Sequence, residues 1–458
     1  MCTFLRERRM NRRKFIELIV GGAAGIVVSD CGRLMGALRN ATKRVDRPNI
    51  ILIMADDLGY GDVGCYGSET VKTPNIDALA GGGVRFTDYH SNGAVCSPTR
   101  AALLTGRYQQ RCGIEGVVTA AKHRHTGMAL KQVTFAEVLK KHGYATGIFG
   151  KWHMGYSVEF NPVRQGFDEF IGYVSGNVDY HSHIDQAGYD DWWKDGKKVS
   201  EKGYSTDLIT RHGIDFIKRH KDEPFCLYLP HEAPHYPYQG RDDPPERLAG
   251  GRKGKKAKGK EIIRAYKEMV EVMDESVGKI VQTIKRLGLE RRTFIFFCSD
   301  NGANKNGSNG ALSGYKGSLW EGGHRVPAIA YWPGKIKHGG VTDQTVLGMD
   351  LFPTMVSVAG AKLPAGLKLD GVDLLPMLVS NDKLPERTLF WRHGKQRAVR
   401  RGPWKLRVEG KNVELYNLDE DLGEKKNLAD AKPEMVKILE DKLSIWEQDV
   451  SVGVERRT

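Results

Sequence analysis

Several things are scarce in this sequence. No segment recurs along its 458 residues, which excludes solenoids, propellers and other tandem arrays. No uninterrupted apolar stretch approaches the roughly 20 residues that a membrane-spanning helix needs. The apolar run nearest the N-terminus, residues 16–28, already contains Glu17 and five small residues. Cysteine is sparse and scattered, at positions 2, 31, 65, 96, 112, 226 and 298. That pattern excludes a disulfide scaffold and a zinc ribbon, and only Cys65 with Cys112 is a candidate disulfide. Cys226 and Cys298 sit inside apolar runs, where a thiol behaves as a small hydrophobe. What remains is ordinary globular material, 40% hydrophobic and 28% charged, long enough for a large core and two or three domains.

Charge is present but unevenly placed. Lys and Arg outnumber Asp and Glu by 70 to 56, yet residues 1–45 alone hold ten bases and three acids, half of the formal +14. In that stretch Asn11-Arg12-Arg13-Lys14-Phe15-Ile16 resembles the twin-arginine export signal, and residues 16–28 supply its short apolar region. The expectation is an export leader over residues 1–45 and a periplasmic or extracellular protein. Met10 directly precedes the motif and is an alternative start. Val28-Ser29-Asp30-Cys31 loosely resembles a lipoprotein cleavage box, with Asp30 a poor fit, so a lipid anchor at Cys31 stays open. The other basic concentration, residues 250–260, contains no acid. Such blocks are usually solvated and mobile, and contact with an anionic polymer is the other reading. Lacking aromatics, it does not suggest a nucleic-acid partner, and none is expected.

Asn49-Ile50-Ile51-Leu52-Ile53-Met54 is a continuous apolar run, and similar runs occupy residues 145–149, 224–229, 293–298 and 326–331. Short runs of this kind read as strands buried on both faces. Helical patterns at 134–142, 208–220, 261–287 and 351–359 alternate with them. The expected fold is therefore α/β, a large mostly parallel sheet flanked by helices, with functional loops at the strands' carboxyl ends. Residues 364–385 are richer in Pro and Gly and read as a linker or crossover. Two short antiparallel strands, 397–408 and 413–419, and a helix at about 433–448 then form a smaller C-terminal subdomain. The expected boundaries are 46–363 for the catalytic region and 364–458 for the remainder.

The strand ends carry the candidate chemistry. Asp56-Asp57 follows the first run, and adjacent carboxylates repel unless a cation sits between them. Taken alone they could equally form a turn or an N-cap. Asp300-Asn301 repeats the arrangement after residues 293–298, so the two pairs offer oxygen donors suited to Ca²⁺ or Mg²⁺ rather than zinc. Cys96-Ser-Pro98-Thr99-Arg100 opens a short helix, where free N–H groups and the helix dipole favour an anion. An unmodified Cys96 there could instead be a reactive thiolate. Lys151 and His153 follow another strand, and alternate residues of an extended segment share a face.

Cys96-x-Pro98-x-Arg100 with Leu103-Leu104-Thr105-Gly106 resembles the signature of the sulfatases, and Gly143-Tyr144 through Gly150-Lys151-Trp152-His153-Met154-Gly155 resembles their second signature. Ala233-Pro234-His235-Tyr236-Pro237, Gly314-Tyr315-Lys316-Gly317 and Glu321-Gly322-Gly323-His324-Arg325-Val326-Pro327 match further segments, in family order. The family normally has Ser at the position of Thr99. The resemblance spans about residues 48–428 and implies an alkaline phosphatase-like fold and hydrolysis of sulfate esters. It also implies conversion of Cys96 to formylglycine by a formylglycine-generating enzyme. Ca²⁺ would be held by Asp56, Asp57, Asp300, Asn301 and an oxygen at position 96. In that scheme a formylglycine-hydrate hydroxyl attacks sulfur while Arg100, Lys151 and Lys316 stabilise charge. His235, rather than His231, protonates the leaving alcohol, and His153 then takes a proton from the hydrate to release sulfate. Glu321 and Arg325 are read as structural.

Specificity is less legible. The loop-rich stretch containing Asp179-Tyr180-His181-Ser182-His183 and Trp192-Trp193 is where substrate contacts tend to sit. His183 and His181 are candidate saccharide contacts, and Trp192-Trp193 read equally as core. An exported member of the family suggests a sulfated carbohydrate as substrate. The alternatives are a phosphonate monoester or phosphodiester hydrolase on the same scaffold, or a non-catalytic binder of sulfated glycans with Cys96 unmodified.

Overall fold

The computed structural model describes residues 47–452 and Val454; the twin-arginine stretch and Cys31 lie outside the described residues. All seven residues of the strand Asn49–Ala55 are buried. Alternation of side chains explains why both parities are apolar. Ile50, Leu52 and Met54 enter one core layer, and Ile51, Ile53 and Ala55 enter the other. On one face lie Phe135–Lys141, Leu351–Val358 and Cys96–Thr105, contributing Phe135, Phe352 and Leu103 to the first layer. On the other lie Ser205–Arg219 and Lys260–Arg286, whose Phe216, Met269, Met273 and Ile280 fill the second.

Among the described residues this sheet has ten strands. Its centre runs Thr293–Ser299, Asn49–Ala55, Phe225–Pro230, Ala145–Lys151 and Glu169–Tyr173, all parallel. The flanking strands Ala328–Tyr331 and Trp193–Lys194 are antiparallel to their inner neighbours. Five parallel strands place their carboxyl ends on one edge, so the residues after Ala55, Lys151, Pro230 and Ser299 are brought together by topology alone. No helix among the described residues is long and apolar enough to cross a membrane.

A smaller antiparallel sheet follows, ordered Thr388–His393, Gln396–Arg401, Trp404–Glu409 and Asn412–Asn417, and the helix Pro433–Asp449 covers it. Their core, built on Trp391, Leu406, Leu439 and Trp446, includes Ala102 and Tyr108 from the main layer. Two expectations change here. Residues 397–408 are two strands rather than one, because Gly402 adopts a positive φ of 56° and turns the chain. Residues 364–385 are a packed crossover rather than a free linker. They contain the helix Leu375–Ser380 and send Leu374, Met377 and Leu378 into the main core. The proposed Cys65–Cys112 disulfide is also absent: both thiols are free, and Cys112 Sγ lies 3.2 Å from Thr105 Oγ1.

Candidate active site

At the common strand edge, Asp56, Asp57, Asp300 and Asn301 are all buried. Asn301 Nδ2 donates to Asp57 Oδ1 at 2.8 Å, and the Asp57 amide donates to Asp300 Oδ1 at 3.2 Å. Asp57 takes a positive φ of 67°, a conformation that costs a non-glycine residue and is held by its surroundings. Gly302 continues the chain where a Cβ would lie 1.8 Å from the Gly322 carbonyl oxygen, so that position has no room for a side chain.

Cys96 is the first residue of the helix Cys96–Thr105. Its Sγ lies within 4.8 Å of oxygens from Asp56 and Asp300. Thr99 Oγ1 donates to the Gly93 carbonyl at 3.0 Å and accepts from the Gly93 amide at 3.1 Å. Only the hydroxyl is used, so threonine serves where serine is usual.

Three cations answer the three carboxylates. Arg100 aims Nε and Nη2 at Asp300 Oδ2, at 3.1 and 2.7 Å, and Nη1 at the Lys151 carbonyl, at 3.2 Å. Lys151 pairs with Asp56. Lys316 Nζ lies 2.6 Å from Asp57 Oδ1. Burial pushes the Asp57 carboxyl up, but Lys316 and then His235 overcome it and hold it well below the usual range. Burial, with Asp56 alongside, pushes Asp300 up to about 6.

The two histidines differ. His235 Nδ1 donates to the Tyr236 carbonyl at 2.8 Å, leaving Nε2 3.8 Å from Asp57 Oδ2. Burial and Lys316 lower its pKa to about 3. His153 Nε2 donates to the Val118 carbonyl at 3.0 Å, and its buried Nδ1 has no partner. Burial, with Lys151 and Arg100, keeps that imidazole neutral. His153 has φ of 60°, so it reaches the site through a turn and not by sharing an extended face with Lys151. His231 points away, its Nε2 3.1 Å from Ser276 Oγ.

Asp57, Cys96, His153, His235 and Lys316 line a cavity of about 450 Å³, a size ordinary for small-molecule sites. Asp56, Arg100, Lys151 and Asp300 stand behind it. The donor set fits a hard divalent cation. Asp56 Oδ1 and Asn301 Oδ1 are buried acceptors without a hydrogen-bond partner, an arrangement that is costly unless something cationic is bound. A second buried group, His90, Glu321 and His324, does not fit one. Lys405 Nζ sits 2.8 Å from Glu321, and Arg400 and Arg325 bind the adjacent Asp88, so its carboxylates are already neutralised.

Residues 48–361 match the family model described as Sulfatase, and residues 315–449 match that of N-sulphoglucosamine sulphohydrolase, C-terminal. The chain belongs to the sulfatase family. It is 36% identical to N-acetylgalactosamine-6-sulfatase of Mus musculus over 389 residues, covering 79% of this chain and 72% of that protein. It is 38% identical to arylsulfatase A of Bos taurus over 378 residues, covering 75% and 70%. The solved structure titled as Ps i-CgsB in complex with k-i-k-neocarrahexaose superposes with a TM-score of 0.80 at 31% identity, covering 90% of this chain and 95% of that one. The sulfatase is thus a sulfuric ester hydrolase with the expected α/β sheet and C-terminal antiparallel subdomain.

The expected saccharide contacts lie elsewhere. His183 is buried, stacks on Trp192 at 4.3 Å, and its Nε2 lies 3.1 Å from the Gly203 carbonyl. His181 Nε2 lies 3.1 Å from the Gly240 carbonyl. Neither lines the cavity, and Trp192 and Trp193 are core. Tyr156, Asn177, Gln186, Tyr236, Tyr238 and Asn304 form the wall instead. Asn304 Nδ2 reaches Asp57 Oδ2 at 3.3 Å, and its Oδ1 accepts from Tyr238 Oη at 3.1 Å. The signal was available: Asn304 follows Asp300-Asn301 within one turn, and Tyr236 and Tyr238 bracket the proline after His235.

Proposed function

We propose that this sulfatase removes sulfate from a carbohydrate ester, using formylglycine made from Cys96 by a formylglycine-generating enzyme, and Ca²⁺. The observation that carries this reading is the convergence of Asp56, Asp57, Asp300 and Asn301, two of them with unpartnered oxygens, beside a cysteine that opens a buried helix. Those four residues would hold the cation, which supplies Lewis-acid polarisation of a sulfate oxygen and a template for position 96. Formylglycine would supply a geminal diol, one hydroxyl for attack on sulfur and a second for release of sulfate. Lys316, on the cavity wall, contacts the ester and offsets charge that builds on the transferring group. Arg100 and Lys151 fix the carboxylates behind it.

His153 presents an unprotonated Nδ1, the form that a general base requires. His235 faces the cavity through Nε2, and donation to the leaving oxygen from that atom requires the imidazolium. Proximity to Asp57 favours that form; burial and Lys316 oppose it. The amide and tyrosine wall suits hydroxyl-rich sugar rings, which need both hydrogen-bond partners and flat apolar faces. The names of the relatives, with N-acetylgalactosamine-6-sulfatase and a k-i-k-neocarrahexaose complex among them, support the same class. Export remains part of the proposal and rests on Arg12-Arg13 and the run after them; cell fractionation tests it.

The deciding experiment compares turnover of an aryl sulfate with that of the matched aryl phosphodiester, followed by a panel of sulfated oligosaccharides. Faster phosphodiester cleavage would select the phosphonate or phosphodiester alternative. Binding of sulfated glycans without turnover of either ester would select the non-catalytic one.

A further inference from the structure

The basic block at residues 250–260 is paired at its start and irregular over residues 254–258. Leu248 and Arg247 pair with Arg252 and Lys253 in a two-strand ribbon. The Gly254 amide donates to the Glu246 carbonyl at 2.7 Å, and the Lys258 amide donates to Glu261 at 3.2 Å. Lys255 is the member neutralised within the block, by Glu261 at 2.9 Å. Lys253, Lys256 and Lys258 are exposed, with no ion pair among the described residues. Holding like charges in a fixed ribbon costs repulsion that a solvated coil would relieve by spreading. An ordered, uncompensated strip therefore calls for an anionic counterpart.

Its position says which one. Arg247, at the ribbon's base, donates Nη2 to Asn177 Oδ1 at 2.5 Å and Nη1 to the Ile184 carbonyl at 3.2 Å. Asn177 is part of the active-site wall. On the other side, Tyr238 belongs both to that wall and to a shallow cleft in which Lys255 and Arg264 are paired with Glu261 and Asp243. Lys305, exposed at the cavity mouth, sits between Asn304, which reaches Asp57, and Asn306, which donates to Tyr238 Oη at 2.9 Å. The basic segment thus adjoins the catalytic cavity through Arg247 and Tyr238, with Lys305 exposed at the mouth.

We infer that the ribbon and the basic segment after it, residues 247–260, are a docking strip for a sulfated polysaccharide, holding sulfate groups on sugar units beyond the one in the cavity. The inference rests on the carbohydrate-sulfatase reading and deepens it: the substrate is an extended polyanion rather than an isolated sulfated sugar. Several weak, screened contacts along a strip raise the local concentration of chain at the cavity mouth without touching the chemistry.

The test is the combined variant Lys253→Ser, Lys256→Ser, Lys258→Ser, with the Lys→Arg combination as rescue. On chondroitin sulfate and carrageenan chains its KM should rise roughly tenfold with kcat unchanged, and the salt dependence of KM should flatten. On 4-nitrophenyl sulfate both parameters should stay at wild-type values, and the arginine combination should restore the polymer KM. An unchanged polymer KM, or an equal loss on both substrates, would overturn the inference. A second arm does not need turnover: titration of the same chains into Cys96→Ala protein, with and without the serine substitutions. A roughly tenfold weaker Kd supports the strip even where the catalytic reading fails. Absence of binding to every sulfated chain, or equally tight binding of duplex DNA, overturns it.

Discussion

Arg100 grips one oxygen of Asp300 with two nitrogens, Nη2 at 2.7 Å and Nε at 3.1 Å, and so leaves the other carboxylate oxygen for the Asp57 amide. The arginine is therefore part of the frame that orients the proposed cation ligands, one step back from the cavity. Removing it frees Asp300 to rotate and leaves three buried carboxylates against two lysines. Arg100→Ala should lower kcat on an aryl sulfate by roughly 10²–10³, the scale seen when a preorganised charge-stabilising group is lost. A loss below tenfold in steady-state kinetics would remove Arg100 from this role.

The cation itself should be visible as stability. A ligand bound only by the folded form at about a hundred times its Kd adds about 2.7 kcal/mol. Chelation should therefore lower Tm and abolish turnover together, with Ca²⁺ restoring both. Asp56→Asn and Asn301→Ala proteins should show a much smaller Tm response to chelator. Elemental analysis of the purified protein, together with calorimetry, checks this.

Position 96 gives a mass signature. Conversion of cysteine to formylglycine lowers the mass of the tryptic peptide by about 18 Da, a covalent change separable from any folding effect. Cys96→Ala should abolish turnover, while the melting response to Ca²⁺ stays mostly intact because the four side-chain oxygen ligands remain. Full activity in material whose peptide retains the thiol would refute the assignment.

Acid stability should report on Asp88, at the contact between the two sheets. Arg400 binds it in a fork at 2.9 and 2.8 Å, with Arg325 at 3.1 Å and His90 at 2.8 Å. Burial pushes this carboxyl up, but Arg400, Arg325 and His90 hold it well below the usual range. The folded protein therefore keeps the carboxylate ionised at pH values where the unfolded chain protonates it. The stabilisation is whole above the unfolded pKa near 3.9 and is lost as pH falls below it. Arg400→Ala should cost about 3–5 kcal/mol at neutral pH, the penalty for stranding a buried charge. The gap between the melting curves of wild type and Asp88→Asn should begin to narrow below about pH 4 and shrink progressively as pH falls further; a constant gap across the range would contradict the argument.

Much of this was legible in the sequence because the central strands are buried on both faces. Ile50 to Ala55 leave no ambiguity about burial, and the polar pairs that end such strands must share an edge once the strands are parallel. Short-range turn chemistry was harder. Gly402-Pro403 divides what the β-rich composition of residues 397–408 suggests is one strand. Long-range pairing was harder still: the nearness of Asn304 to Asp300-Asn301 hints at the site but not at its contact with Asp57, and nothing local announces that Arg400 clasps Asp88. His183 illustrates the opposite error, a polar residue among aromatics that looks like a sugar contact yet satisfies a backbone carbonyl under Trp192. Amphipathic rings serve both purposes, and only the neighbours distinguish them.

The depth of Cys96 has a consequence for biosynthesis. Only 2% of its surface is accessible, and the whole helix that it opens is enclosed. An oxidising catalyst that must grasp this side chain can do so only while the nascent polypeptide is still open. On the proposed formylglycine chemistry, timing would then set yield: a host that completes folding ahead of that encounter would accumulate soluble, correctly shaped molecules that lack the nucleophile.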